Sequence, residues 1–144
     1  MAQKENNIIP MIFDEAFYRK MATQKWRQQD YKKAAEYYEK VLELSPKDFD
    51  IQQHYAQCLV KLNIGKKAER LFYENIVKDF HVAESFYELS QLNIELNEPN
   101  KAFLFGINYV ILSEDKDFRE MLEKTFAVAY TNEQKIDVLL FCRY

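Results

Sequence analysis

DYKKAAEYYEKVLELSPKD, residues 30–48, places Tyr31, Ala34, Ala35, Tyr38, Val41 and Leu42 at helical spacing and stops at Ser45-Pro46. The spacing predicts a helix with one apolar stripe, restarted at Asp30. Pro46 closes it, because a proline cannot continue the hydrogen-bond ladder and forces its predecessor out of the helical region. The rest of the chain decides whether this helix stands alone or in a series. Sliding the sequence along itself by 34 residues brings Ala34, Ala68 and Ala102 into one column and Ala22, Ala56 and Ser90 into another. Large residues align beside them: Tyr18 with Phe86, Met21 with Tyr55 and Leu89, Tyr38 with Phe72. Two small-residue columns on one period mean that paired helices cross closely there, with the large side chains filling either flank.

Each period resolves into two helices. The first runs from about Glu15 to Gln29, with Asp14 placed to cap it and Phe13 and Tyr18 placed as a hydrophobic staple; the second is the stretch opened by Asp30. The second period carries Ile51, Tyr55, Cys58, Leu59 and Leu62, turns at NIGK around Gly65, and continues through Ala68, Phe72 and Ile76. The third holds Phe86, Leu89 and Leu96, and the NEPN turn at 97–100 opens its second helix.

Residues 34–46, AAEYYEKVLELSP, resemble the tetratricopeptide repeat (TPR), whose second helix has the form AxxYYxxxLxxxP. The resemblance covers three units, about 15–48, 49–82 and 83–116, and a degenerate pair at 117–144 in which Thr131 and Gln134 form a capping box. Departures are visible: Phe80 and Glu114 stand where Pro46 stands, Gly106 replaces the aromatic of Tyr38 and Phe72, and Ile136 replaces the alanine of the Ala34 column. The resemblance implies an all-α, right-handed superhelix of antiparallel helix hairpins, an α-solenoid forming a single domain over 14–144 behind an N-terminal extension, 1–13. Stability in such a stack comes from each unit covering the next. The function implied is that of a non-catalytic adaptor or scaffold, in which the first helices line a concave groove for a protein or peptide partner.

Groove-facing residues then lie on first helices, opposite the small-residue column. At the 34-residue offset they are Arg19, Gln53 and Tyr87; Thr23, Gln57 and Gln91; Trp26, Val60 and Ile94; and Arg27, Lys61 and Glu95. Amides suit a peptide backbone, and Trp26 or Tyr87 suits a side-chain anchor. Arg19, Lys20, Lys25 and Arg27 make the first unit basic, whereas Glu84, Glu88 and Glu95 make the third acidic, so a partner with opposite ends would be steered into one orientation. TPR proteins that grip the acidic tail of heat-shock chaperones carry basic groups in the third unit. Glu84 and Glu88 would repel such a tail.

The outer face of the second helices loses polarity unit by unit: Glu36, Arg70, Leu104; Tyr37, Leu71, Phe105; Glu39, Tyr73, Ile107; Glu43, Val77, Ile111. Residues 102–113, AFLFGINYVILS, are apolar nearly all round, and Ile136, Val138, Leu139, Leu140 and Phe141 wrap most of a last helix. Two coverings are expected for Leu104, Phe105, Ile107, Ile111, Leu140 and Phe141. One is a second copy of the chain in a homodimer, or further repeats if this is the N-terminal part of a longer protein. The other is residues 117–144 folding back. The self-association alternative makes the chain an assembly element, its groove unused or filled by Asn6 to Phe13.

Other chemistry is not supported. A net charge of −3 gives no clustered positive excess for nucleic acid, and the pairs Tyr37-Tyr38 and Phe72-Tyr73 lack the basic track a base-stacking platform needs. No apolar run reaches membrane-spanning length and the start, MAQKENNIIP, has no signal-segment pattern, so no membrane partner and a cytoplasmic location are expected. With glycines only at 65 and 106 there is no phosphate loop. His54 and Cys58 lie one turn apart, but His81 and Cys142 share no ligand spacing with them, so no metal and no cofactor are expected. Asp115 and Asp117 read as a helix start rather than an acid–base pair. The richness in Lys, Asn, Ile and Tyr matches what a low-GC bacterial genome encodes.

Overall fold

The structure, a computed structural model, describes residues 14–126. Among them are seven helices and no strand: α1 (Glu15–Arg27), α2 (Tyr31–Leu44), α3 (Phe49–Lys61), α4 (Gly65–Val77), α5 (Val82–Glu95), α6 (Pro99–Ser113) and α7 (Lys116–Phe126). The chain divides into two compact units, with the boundary inside α4 between Leu71 and Phe72. The Phe13–Tyr18 staple, the Thr131–Gln134 capping box, Ile136, Leu140, Phe141 and the segment Asn6 to Phe13 all lie wholly or partly outside the described residues.

Aspartates start several of these helices. Phe17 N–H donates to Asp14 Oδ1 at 2.9 Å, Lys33 N–H to Asp30 at 3.2 Å, Ile51 N–H to Asp48 at 3.1 Å, and Phe118 N–H to Asp115 at 2.9 Å. Each carboxylate satisfies an amide that the helix leaves unpaired, and its charge suits the positive end of the dipole. Asp14 and Asp48 are one period apart; the next equivalent is Val82, and the third unit begins from His81 at φ 48° with no side-chain cap.

The turns inside the hairpins repeat as strictly. Gln29, Asn63 and Asn97, spaced by 34, hold φ of 59°, 61° and 57°. In each case the next amide reaches back across the helix end: Asp30 N–H to Lys25 O at 2.9 Å, Ile64 to Leu59 at 2.8 Å, Glu98 to Asn93 at 2.8 Å. This left-handed closure pairs carbonyls that would otherwise be orphaned. The second turn therefore pivots on Asn63, and Gly65 is the first residue of α4 rather than the pivot.

In the first unit α1 packs on α2 and α2 on α3. Ala22 and Ala34 are fully buried, and the rings of Phe17 and Tyr18 meet Tyr37 at centroid distances of 6.5 and 6.3 Å. Tyr38 stacks on His54 at 6.0 Å, and burial pushes its phenol up to about 12. Within residues up to Leu71, Ala56 and Ala68 are also fully buried, and Lys67 Nζ donates to Tyr55 Oη at 2.9 Å while Tyr55 donates to Glu39.

In the second unit α5 packs on α6 and α6 on α7. Here the two small columns touch: Ser90 Oγ donates to Ala102 O at 2.8 Å. Phe86 meets Phe105 at 6.3 Å with planes at 32°, nearly the geometry of Tyr18 and Tyr37, 6.3 Å and 35°, two periods earlier. The column Tyr37, Phe105 thus faces the hairpin partner, and the expectation that it lies on an outer face is corrected. A side chain at these positions leans back over the preceding turn and onto the neighbouring helix.

Gly106 sits where earlier units carry Tyr38 and Phe72. A Cβ on it would lie 2.7 and 2.8 Å from the two Cδ atoms of Leu122 and 3.0 Å from Ser90 Oγ. Leu122, fully buried, has taken the aromatic's place from α7. With Phe118, Phe103 and Ala102 it forms one core cluster of this unit, against which Ile94, Ile107, Tyr109, Val110 and Met121 pack.

Candidate partner-binding surfaces

On α1, residues recurring every four positions form one open depression of about 800 Å³, lined by Arg19, Lys20, Thr23, Gln24, Arg27 and Gln28. Three predicted groove residues, Arg19, Thr23 and Arg27, meet there, together with Gln24 and Gln28, which the period-matched rows did not select. They follow from adding the neighbours of those rows on the same helix face. Lys20 and Arg27 are exposed and make no ion pair among the described residues.

Arg19 is different. Its guanidinium donates to Glu15 Oε1 at 2.8 and 2.6 Å and also to Asp48, while Ser45 Oγ donates to Glu15 Oε2 at 2.8 Å. The network ties α1 to the end of α2 and the start of α3. Hydrogen bonds from Arg19 and then Ser45 hold the Glu15 carboxyl below its ordinary range. Burial raises Asp48, but the Arg19 hydrogen bond and the Ile51 amide outweigh it and leave that carboxyl lowered as well. Thr23 is exposed and its hydroxyl donates to Arg19 O at 3.0 Å. Trp26 does not line the depression; it packs edge-on against Tyr31 at 5.2 Å and is half-buried.

On α3, Lys61 is exposed and Gln57 half-buried, whereas Gln53 is 3% exposed and so belongs to the interior rather than to a solvated face. Cys58 is fully buried, its thiol pushed up to about 12 by that burial, and His54 one turn away is engaged with Tyr38. No group of three metal-ligating side chains comes together among the described residues.

On α5, Glu84, Tyr87, Glu88 and Gln91 fall at i, i+3, i+4 and i+7 and share one face. The opposite face, with Ser85, Leu89, Ser90, Leu92 and Asn93, is buried. Tyr87 is 37% exposed while its ring rests on Tyr109 at 5.2 Å and Phe118 at 5.3 Å. Of the predicted self-association residues, Phe105 is buried at 8%, Leu104 and Ile107 are half-buried, and Ile111 is 57% exposed beside Leu112 at 53%. Part of the apolar surface of α6 is therefore covered internally by α7. Among the described residues no helix is long and apolar enough to cross a membrane.

The tetratricopeptide-repeat profile matches residues 25–72, the stretch containing α2 and α3. No curated protein matches the sequence. Among solved structures, a crystal structure of MamA protein superposes with a TM-score of 0.71 over 86% of this chain and 68% of that one, at 18% sequence identity. The chain thus contains a tetratricopeptide repeat at residues 25–72 and has an all-α, TPR-like fold, in agreement with the 34-residue recurrence of turns and ring contacts.

Proposed function

We propose that the chain is a non-catalytic adaptor that holds a peptide or protein partner along the exposed faces of its first helices, in the concave groove typical of such repeats. The observation that carries this reading is the contrast between the two faces of α1 and of α5. The small-residue side of α1 and of α5 is locked into its hairpin, while the other side presents Thr23, Arg27 and Lys20 on α1, and Glu84 with the part-exposed Tyr87 and Gln91 on α5. Repeats of this kind are interaction units. The location remains proposed as cytoplasmic.

Panning a random peptide library against the full chain tests this. Retained peptides should lose binding on Thr23→Glu or Gln91→Ala with helical content unchanged; retention of no peptide, or binding indifferent to these changes, overturns it. The second reading, self-association, is favoured by the exposure of Ile111 and Leu112 at the end of α6. It predicts a dimer mass by light scattering that reverts to monomer on Ile111→Glu.

A further inference from the structure

We infer that the exposed face of Tyr87 is a docking site for an arginine side chain of the partner. This deepens the groove reading and rests on it. The feature on which it stands is a rigid, half-exposed aromatic ring. Tyr87 rests on Tyr109 with planes at 63° and on Phe118 with planes at 55°; Tyr109 and Phe118 in turn meet edge to face at 4.9 Å and 87°. The support is itself pinned. Tyr109 Oη donates to Asp115 Oδ2 at 3.0 Å, the other oxygen of Asp115 caps Phe118 N–H at 2.9 Å, and Phe118 is 7% exposed. A ring held from behind loses little freedom when a ligand covers its front, which is the property of a preformed anchor site.

The charge around the ring selects the ligand. Glu84 and Glu88 lie one turn before and one residue after Tyr87 on the same helix face, with Gln91 completing the stripe. Glu84 is exposed and forms no ion pair among the described residues. An acidic group placed on Tyr87 would meet like charge. An apolar one would strip water from Glu84 without replacing it. A cation gains from both the ring face and the exposed Glu84 carboxylate. Arginine fits better than lysine, because its planar guanidinium stacks on the ring while its edge still offers paired donors to a carboxylate. Binding of that group needs no rearrangement of the three rings.

The test is selection of a random displayed peptide library on the full chain, followed by anisotropy titration of the selected peptides made synthetically. Selected sequences should be enriched in arginine over the starting library. Replacing that arginine by citrulline, which keeps the shape and removes the charge, should weaken binding about tenfold, as should Tyr87→Ala. Tyr87→Phe, which keeps the ring, should stay within about threefold of the parent, and Glu84→Gln should weaken binding by about threefold. Selected peptides without arginine, or arginine peptides whose affinity ignores Tyr87→Ala, overturn the inference. If such peptides still depend on Thr23 and Gln91, the groove reading stands and the arginine site alone falls; if no peptide is retained, both fall.

Discussion

Arg19 shows that a polar side chain at a groove position can be a strut. Its guanidinium is occupied by Glu15 and Asp48, so Arg19→Ala should lower stability by about 1 kcal/mol, a modest figure because the pairs are partly exposed and screened, and should cost partner affinity less. Asp48→Ala removes a helix cap as well and should cost about 1–2 kcal/mol by urea denaturation. Both carboxyls are held below their ordinary values of 3.8 and 4.5 in the folded chain. The unfolded chain therefore binds protons first as pH falls, so this contribution is complete above the carboxylate range and is lost through it, from about pH 5 downward. Urea midpoints measured against pH should show that slope in the parent and a shallower one in Arg19→Ala. The left-handed positions allow a gain: Gln29 carries a Cβ at φ 59°, and Gln29→Gly should stabilise by about 1 kcal/mol, whereas Asn63→Gly should gain less because asparagine tolerates that conformation.

At the scale of the element, α6 is the helix whose two ends have different fates. Phe105 is clamped by Phe86 at 6.3 Å and Tyr73 at 5.7 Å, so Phe105→Glu should abolish cooperative unfolding seen by circular dichroism, and Phe105→Ala should cost about 3–5 kcal/mol. Ile111→Glu, on a residue 57% exposed, should change stability by no more than about 0.5 kcal/mol in the monomer. Gly106 and Leu122 behave as one site. Leu122→Ala should cost about 2–5 kcal/mol by opening a cavity, and Gly106→Phe alone should overpack. Combining them should recover part of the loss, because a ring at 106 would again fill the place that Tyr38 and Phe72 fill in their units; strictly additive losses in denaturant would refute that equivalence.

For the whole molecule, the charges of the first helices divide by unit: Lys20 and Arg27 on α1, Glu84 and Glu95 on α5. A partner recognised by both should associate more slowly in salt. The association rate measured by stopped flow should fall severalfold between about 50 and 500 mM salt while the dissociation rate changes little. Cys58 offers a separate probe of integrity. Fully buried and with its thiol raised to about 12, it should react with a thiol reagent in a Cys142→Ser background only when the first unit unfolds.

The sequence by itself determined the period, the helix starts and the closest crossings. An aspartate cap and a proline stop act through the few residues beside them, and alanines at equal intervals are needed only where two backbones approach; Ser90 bonding to Ala102 O is the direct expression of that rule. The candidate site was legible as a helix face, in Thr23, Arg27 and Tyr87, because one face of an amphipathic helix can be read from spacing alone. Three things needed the tertiary structure. Gln53 is interior although its neighbours at the same register are reachable, Phe105 turns into its hairpin, and Gly106 is small because Leu122 arrives from a helix not yet begun in its repeat. Each depends on what a distant part of the chain places against the residue. Periodicity fixes the direction in which a side chain leaves its helix, and only packing decides what is there to meet it.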